Sequence, residues 1–298
     1  MSIRLEMLQV ARVAPKILGD ATALVRDFLL SQQNPDGGFK DRLGRSDLYY
    51  TVFGLNSLIA LQAELDLSKS ASYLRGFGIG EKLDFIHLCC LARCWAALTT
   101  MDSKCRVPEQ FPGFAVGKIE AHRSRDGGYF IVPGGTNGTA YTSFLALGSY
   151  QDLGRDVPDP LRLIQSFKFL ETPDGAWSND RHMKIGATNA TAAAVTALRH
   201  LGAPLNTDAG NWLLARAHPQ GGFLATPDAP IPDLLSTATA LHALAGLQVS
   251  FELVKESCLD FIDSLWTNEG SFHGHWSEDI LDTEYTFYGL LALGHLYF

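Results

Sequence analysis

SQQNPDGGF, residues 31–39, is a phrase that this chain repeats: SRDGGYF stands at 124–130, TPDGAWS at 172–178, HPQGGFL at 218–224 and NEGSFHGHW at 268–276. Each joins polar residues to glycine and then to an aromatic. That composition reads as a tight turn in which glycine supplies the positive φ that other residues avoid. The turns begin at Asp36, Asp126, Asp174, Gln220 and Glu269, so successive gaps are 90, 48, 46 and 49 residues. The first gap is close to double the others, which predicts a degenerate turn near residue 80, where RGFGIGEKL (75–83) stands. Six units follow, roughly 22–65, 72–104, 113–153, 160–202, 209–248 and 255–298, a period that marks a repeat architecture.

Within each unit an apolar helical stretch leads through the turn and a polar loop to a second helix dense in Ala and Leu. The second helices align on a Thr: DLYYTVFGLNSL from Asp47, GTAYTSFLALGSY from Gly138 (on Thr142), ATNATAAAVTAL from Ala187, DLLSTATALHAL from Asp233 and DTEYTFYGLLAL from Asp282. The second unit fits as HLCCLARCWAAL from His87, with Leu91 in place of Thr. These helices are apolar nearly all round, which suits burial on both sides, whereas LVRDFLLSQQ, LRLIQSFKFLE and CLDFIDSLW carry charge on one face and belong outside. Six such hairpins closing on themselves predict an all-α, (α/α)6 toroid, one domain over 1–298, without the exposed ends that an open solenoid must cap.

The 298 residues, 46% hydrophobic and 19% charged, suffice for a sizeable core. A formal charge of -8 and the absence of any Lys/Arg run argue against a nucleic-acid partner. The opening MSIRLEMLQVARVAPKILG mixes Arg, Glu and Lys among apolar residues at helical spacing, unlike a signal peptide, and no segment reaches membrane-spanning length. A cytoplasmic protein is expected. The five cysteines are odd in number and four of them cluster, as for reduced core thiols.

Glycine–aromatic turns joined to D-x-x-x-T-x-x-x-x-A-L helices resemble the repeat of protein prenyltransferase β-subunits and class II terpene and triterpene cyclases, from about Leu24 to Leu296. EGSFHGHW is especially similar to a cyclase turn. The resemblance implies an isoprenoid substrate, a prenyl diphosphate or polyprenyl chain, held in a barrel lined by aromatics. Candidate wall residues are Tyr49, Tyr50, Phe53, Trp95, Tyr141, Phe144, Tyr285, Phe287 and Tyr288. It also directs attention to the rim where inner-helix N-termini, with their partial positive charge, converge and would suit a diphosphate, with Mg²⁺ as its possible companion.

Three family features can be carried onto this chain. The zinc ligands of protein prenyltransferases fall on Asp233, Leu235 and Tyr285; leucine cannot ligate a metal, so no zinc cofactor is expected by that route. Asp233, Asp282 and Glu284 with His273 and His275 are the residues from which a metal site could be rebuilt. The acidic motif of the cyclases falls on DTEYT, with Asp282 and Glu284 acidic and Tyr285 in place of the last acid. Asp282 and Glu284 are therefore candidate proton donors, while helix capping is the alternative for Asp282, Asp233 and Asp47, and a helix-dipole role the alternative for Glu284. Arg181 and Lys184 stand ten and seven residues before Thr191, offsets at which prenyltransferases place diphosphate-binding residues, though one unit earlier. With Arg42, Arg45, Arg123 and Arg125 they would form a positive arc, against the alternative of a solvated loop face. His87 and Cys89 form a possible reactive pair or a core thiol beside a satisfied histidine. Proton-initiated cyclisation is the favoured expectation over zinc-dependent transfer. The alternatives are a non-catalytic lipid-binding or protein-interaction barrel, or a sugar-processing ring; a second protein subunit completing the site is left open.

Overall fold

The computed structural model describes residues 1–205 and 208–298. Two N-terminal helices, α1 (Ile3–Ala11) and α2 (Pro15–Leu18), precede six hairpins. These are α3 (Ala21–Ser31) with α4 (Leu48–Ala60), α5 (Leu67–Arg75) with α6 (Phe85–Met101), and α7 (Phe111–Glu120) with α8 (Ala140–Asp152). The remaining three are α9 (Pro160–Lys168) with α10 (Thr188–His200), α11 (Asp208–Leu214) with α12 (Leu234–Gly246), and α13 (Lys255–Ser264) with α14 (Thr283–Tyr297). The second helices form the inner ring: α4 packs on α6, and so on through α8, α10 and α12 to α14, which returns to α4. The (α/α)6 toroid expected from the repeat is the observed fold.

One buried hydroxyl in each unit but the second explains the aligned Thr. Thr51, Ser143, Thr191 and Thr237 accept the backbone N–H of the turn aromatic, Phe39, Tyr129, Trp177 and Phe223, at 2.9–3.0 Å. Thr51, Thr237 and Thr286 also donate to the carbonyl four residues back, at Asp47, Asp233 and Asp282. In the last unit Thr286 pairs with the turn hydroxyl of Ser271 at 2.8 Å. The hydroxyl thus satisfies a turn donor sealed from water, where an unpaired N–H is costly. The third unit corrects the alignment: Ser143, not Thr142, takes the N–H of Tyr129, and Thr142 donates instead to the Tyr129 carbonyl. Three residues beyond the hydroxyl the inner helix carries Gly or Ala, because the aromatic lies there. A Cβ on Gly54 would stand 2.2 Å from the Phe39 ring, and one on Gly289 2.5 Å from that of Phe272. The second unit has neither the aromatic turn nor the hydroxyl; Leu91 is fully buried.

The turn glycine also fixes the outer ring. Gly270 has φ +88°, and a Cβ on it would stand 2.2 Å from the Leu24 carbonyl of α3, so the sixth turn presses on the first outer helix.

Helix α1 is a plug that the sequence reading did not assign. It packs against α14, α4 and α8 at their C-terminal ends. Arg4 Nε donates to Asp152 Oδ1 at 3.0 Å, and Glu6 accepts from Arg199 and from His200 Nε2, the latter at 2.9 Å. Gly294 admits the plug closely: the Val10 carbonyl oxygen lies 2.1 Å from where its Cβ would be. Burial opposes ionisation of Glu6, but the His200 and Arg199 hydrogen bonds prevail and bring its pKa down to about 2.

Thr237→Val keeps the side-chain shape and strands the Phe223 N–H. It is expected to cost about 1–3 kcal/mol in denaturant unfolding, while Thr237→Ser retains most of the stability; equal stabilities for Thr, Ser and Val would show that the hydroxyl is dispensable.

Candidate active site

The inner ring encloses a cavity of two lobes side by side. The larger, about 310 Å³, is bounded chiefly by α10 and α12 through Asn189, Ala193, Leu235, Thr239 and His242. The smaller, about 90 Å³, is bounded by α4 and α6 through Phe53, Asn56, Cys89 and Arg93. Tyr49, Tyr141, Phe144 and Tyr288 line both, and Met7 of the plug reaches both. The aromatic collar is continuous: Phe53 packs on Tyr49 at 5.0 Å and on Tyr288 at 5.5 Å between ring centroids. The cavity opens at the inner-helix N-termini, where Tyr141 keeps 37% of its surface exposed.

Glu284 stands in the first turn of α14 and is not among the residues that bound either lobe; the Tyr49 hydroxyl, from the opposite side of the α14–α4 seam, donates to its Oε1 at 2.6 Å, and the Tyr49 ring lines both lobes. Burial pushes the Glu284 pKa up to about 7, against the Tyr49 hydrogen bond, and the neighbouring Asp282 charge acts in the same direction as burial. The side chain therefore keeps its proton through mildly acidic pH and is about half ionised at neutrality.

Asp282 and Asp233 are helix caps. Asp282 accepts from Tyr285 N–H at 2.9 Å and from Arg42 Nε at 3.1 Å; Asp233 accepts from Ser236 N–H and its hydroxyl, each at 2.7 Å. Burial raises both pKa values, with those hydrogen bonds opposing. Of the expected wall residues, Tyr49, Phe53, Tyr141, Phe144, Phe287 and Tyr288 line the cavity. Trp95 does not: it faces the outer layer beside Thr99, Pro112 and Leu153. Tyr285 does not line it either, since one residue on from Glu284 turns it about 100° around the helix. Its ring covers Gly274 and lies beneath the Arg42 guanidinium, 5.4 Å away. Tyr50 is likewise absent from the lining, its carbonyl taken by Thr283 across the seam.

The positive arc does not form. Arg42 pairs with Asp282 and Glu278, Arg45 with Asp41, and Arg123 with Glu120. Arg181 and Lys184 are exposed in the loop before α10. Arg181 donates to Asn137 at 2.9 Å in a rim recess that adjoins the mouth at Asn179. His87 is held by Asp84 at 2.8 Å and Asp47 at 3.2 Å rather than by a thiol. Its Asp47 hydrogen bond, against burial, raises its pKa to about 9. Cys89 is buried, which pushes its thiol up to about 12. Among the described residues no three His, Cys, Asp or Glu side chains gather as a metal would require, so Asp233, Asp282 and Glu284 do not combine with His273 and His275 into such a site.

The prenyltransferase alpha-alpha toroid domain matches residues 6–91 and 182–296. The chain belongs to this family. Among solved members of the toroid fold, the type II terpene cyclase MstE from Scytonema, a variant in complex with geranylgeranyl dihydroxybenzoate, is similar with a TM-score of 0.62 and 17% identity, over 95% of this chain and 97% of that one. Its apo form gives 0.59 at 18% identity, over 94% and 97%. Candida albicans protein geranylgeranyltransferase-I complexed with GGPP gives 0.53 at 15% identity, over 98% of this toroid and 82% of that chain. No curated protein matches the sequence. Among the described residues of this toroid no helix is long and apolar enough to cross a membrane.

Because the folded-state pKa of Glu284 lies above its ordinary 4.5, ionising it costs stability as pH rises from about 4.5 to about 7. Glu284→Gln is therefore expected to gain about 2–3 kcal/mol relative to the parent toroid between pH 5 and pH 8, read from urea unfolding at both pH values. A difference that does not change with pH would place Glu284 in water.

Proposed function

We propose that the protein draws a polyprenyl chain into the aromatic cavity and starts its cyclisation with the Glu284 proton. The observation that carries this reading is a buried carboxyl whose pKa reaches about 7, hydrogen-bonded to the hydroxyl of Tyr49, whose ring lines the apolar, aromatic-walled cavity. In this step the Oε–H bond breaks and the proton bonds to the terminal alkene carbon. The π electrons supply the new C–H bond, and a tertiary carbocation forms that the next double bond attacks. The faces of Tyr49, Phe53 and Tyr288 offer negative charge to such cations. Loss of a proton from the final cation balances the reaction, and Glu284 is reprotonated through the open mouth. The similarity to a cyclase bound to a geranylgeranyl compound and to a transferase bound to GGPP supports the substrate class.

A second reading, a lipid-binding barrel without catalysis, is favoured by one observation. Asp282 is committed to its helix cap and to Arg42, leaving Glu284 a tyrosine and no carboxyl partner to sharpen its acidity.

Purified protein incubated with farnesyl or geranylgeranyl diphosphate, with products followed by mass spectrometry, tests both readings. Cyclisation predicts cyclic product, a rate that falls as pH rises through about 7, and a loss of at least about a hundredfold in Glu284→Gln with binding kept. Tyr49→Phe, which removes a hydrogen bond favouring the ionised acid, is expected to move that midpoint upward. Binding without product favours the carrier; product formation unaffected in Glu284→Gln ends the role given to this acid.

A further inference from the structure

The smaller lobe ends on a group of polar atoms that the proposed proton transfer does not use. Arg93 reaches it from the third turn of α6, and Arg4 comes from the plug. Their Nε atoms donate to the two oxygens of one carboxylate, Asp152, at 3.2 and 3.0 Å. Among the described residues that carboxylate is the one ion-pair partner of either guanidinium. Glu6, the next acid on the plug, is engaged with Arg199 and His200. Two positive charges therefore meet one negative charge in a site where all three side chains are buried or nearly so. An uncompensated buried cation is costly, and persists where something supplies the missing charge.

Two further atoms point to a ligand there. Arg4 is 6% exposed and Asn56, also bordering the lobe, is 3% exposed. Arg4 Nη1 and Asn56 Oδ1 have no hydrogen-bond partner. The Arg4 donor thus stands unsatisfied beside the surplus charge, beneath an aromatic collar, and is the one of the two that an anion can satisfy. Convergent polar groups at one end of an apolar cavity are what orient a small ligand.

We propose that this end of the cavity, built by Arg93 and Arg4, binds the carboxylate of an amphiphilic isoprenoid whose hydrocarbon tail rises toward Glu284. A single surplus charge matches a monoanion; a diphosphate would remain under-neutralised. The inference rests on the isoprenoid reading above and fixes the polarity of the bound chain. In the register that sets His87 opposite Asp282, Arg93 lies four residues further along its helix than Glu284 does along α14, roughly 6 Å at 1.5 Å per residue. Head-down binding then presents the far end of the chain, where a terminal alkene lies, to Glu284. It also gives the plug a part in recognition, since Arg4 belongs to α1.

Calorimetric titration of the full chain with farnesoic acid, farnesol and farnesyl diphosphate tests this. The acid is expected to bind about ten- to a hundredfold more tightly than the alcohol, the margin of charge-assisted hydrogen bonds, and more tightly than the diphosphate. In Arg93→Gln that preference collapses to near unity while farnesol affinity is kept. Cys89→Asp, one helical turn before Arg93, supplies the missing charge from the protein itself. It is expected to fold even if Arg93→Gln does not, and to abolish the preference for the acid. Equal affinities of acid and alcohol in the parent protein overturn the inference and leave the isoprenoid reading standing. So does a preference lost in Arg181→Ala/Lys184→Ala and retained in Arg93→Gln or Cys89→Asp, because it places the head at the rim. Failure of all three compounds to bind overturns both.

Discussion

In four units the turn aromatic buries its own backbone N–H, and a hydroxyl on the following inner helix is what receives it. That single bond, seen from Phe39 to Thr51, Tyr129 to Ser143, Trp177 to Thr191 and Phe223 to Thr237, ties the outer layer to the inner one in four of six units. The neighbouring small residue lets the aromatic ring lie flush with the helix. Turn glycine, aromatic, hydroxyl and small residue are one device, which is why the second unit, having lost the turn, carries Leu91 where the hydroxyl would be. With the hairpins held at this spacing the ring closes when α14 meets α4, and its centre stays hollow.

The closing seam is also where the chemistry gathers. Thr283 donates to the Tyr50 carbonyl, Arg42 reaches Asp282 and Tyr49 reaches Glu284, so three contacts across one helix pair join the first unit to the last. Two of them neutralise their groups in the ordinary way. The third leaves a buried carboxyl with one tyrosine for company, and burial raises its pKa to about 7. At the opposite end the plug brings charge inward, setting Arg4 beside Arg93 on one carboxylate, Asp152.

How much of this could be read from the residues depends on how far apart in sequence the partners lie. The turns, the hydroxyl register and the ring are local patterns repeated, and they were legible; Thr142 was set one residue off because Ser143 beside it carries the same group. Glu284 stands in the first turn of its helix, as its place two residues after the Asp282 cap implies. Trp95 misled because the second unit offers no hydroxyl to set its register, and α6 turns that face outward. Tyr285 misled because a neighbour of Glu284 in sequence is not a neighbour on the helix surface. Arg181 and Lys184 keep the right spacing from Thr191 but in a loop that stays in solvent. The plug showed only as helical spacing; its docking rests on pairs such as Arg4 with Asp152, 148 residues apart, for which no local pattern exists.

The closing of the ring at the α14–α4 seam withholds water from one carboxyl, that of Glu284. Carbon-13 NMR of the side-chain carboxyl carbons of glutamate-labelled protein, with Glu284 assigned by its absence in Glu284→Gln, reads that carboxyl directly. A titration midpoint near 7 is the predicted result. A midpoint at the ordinary value near 4.5 would mean that the side chain is solvated, and would contradict the claim.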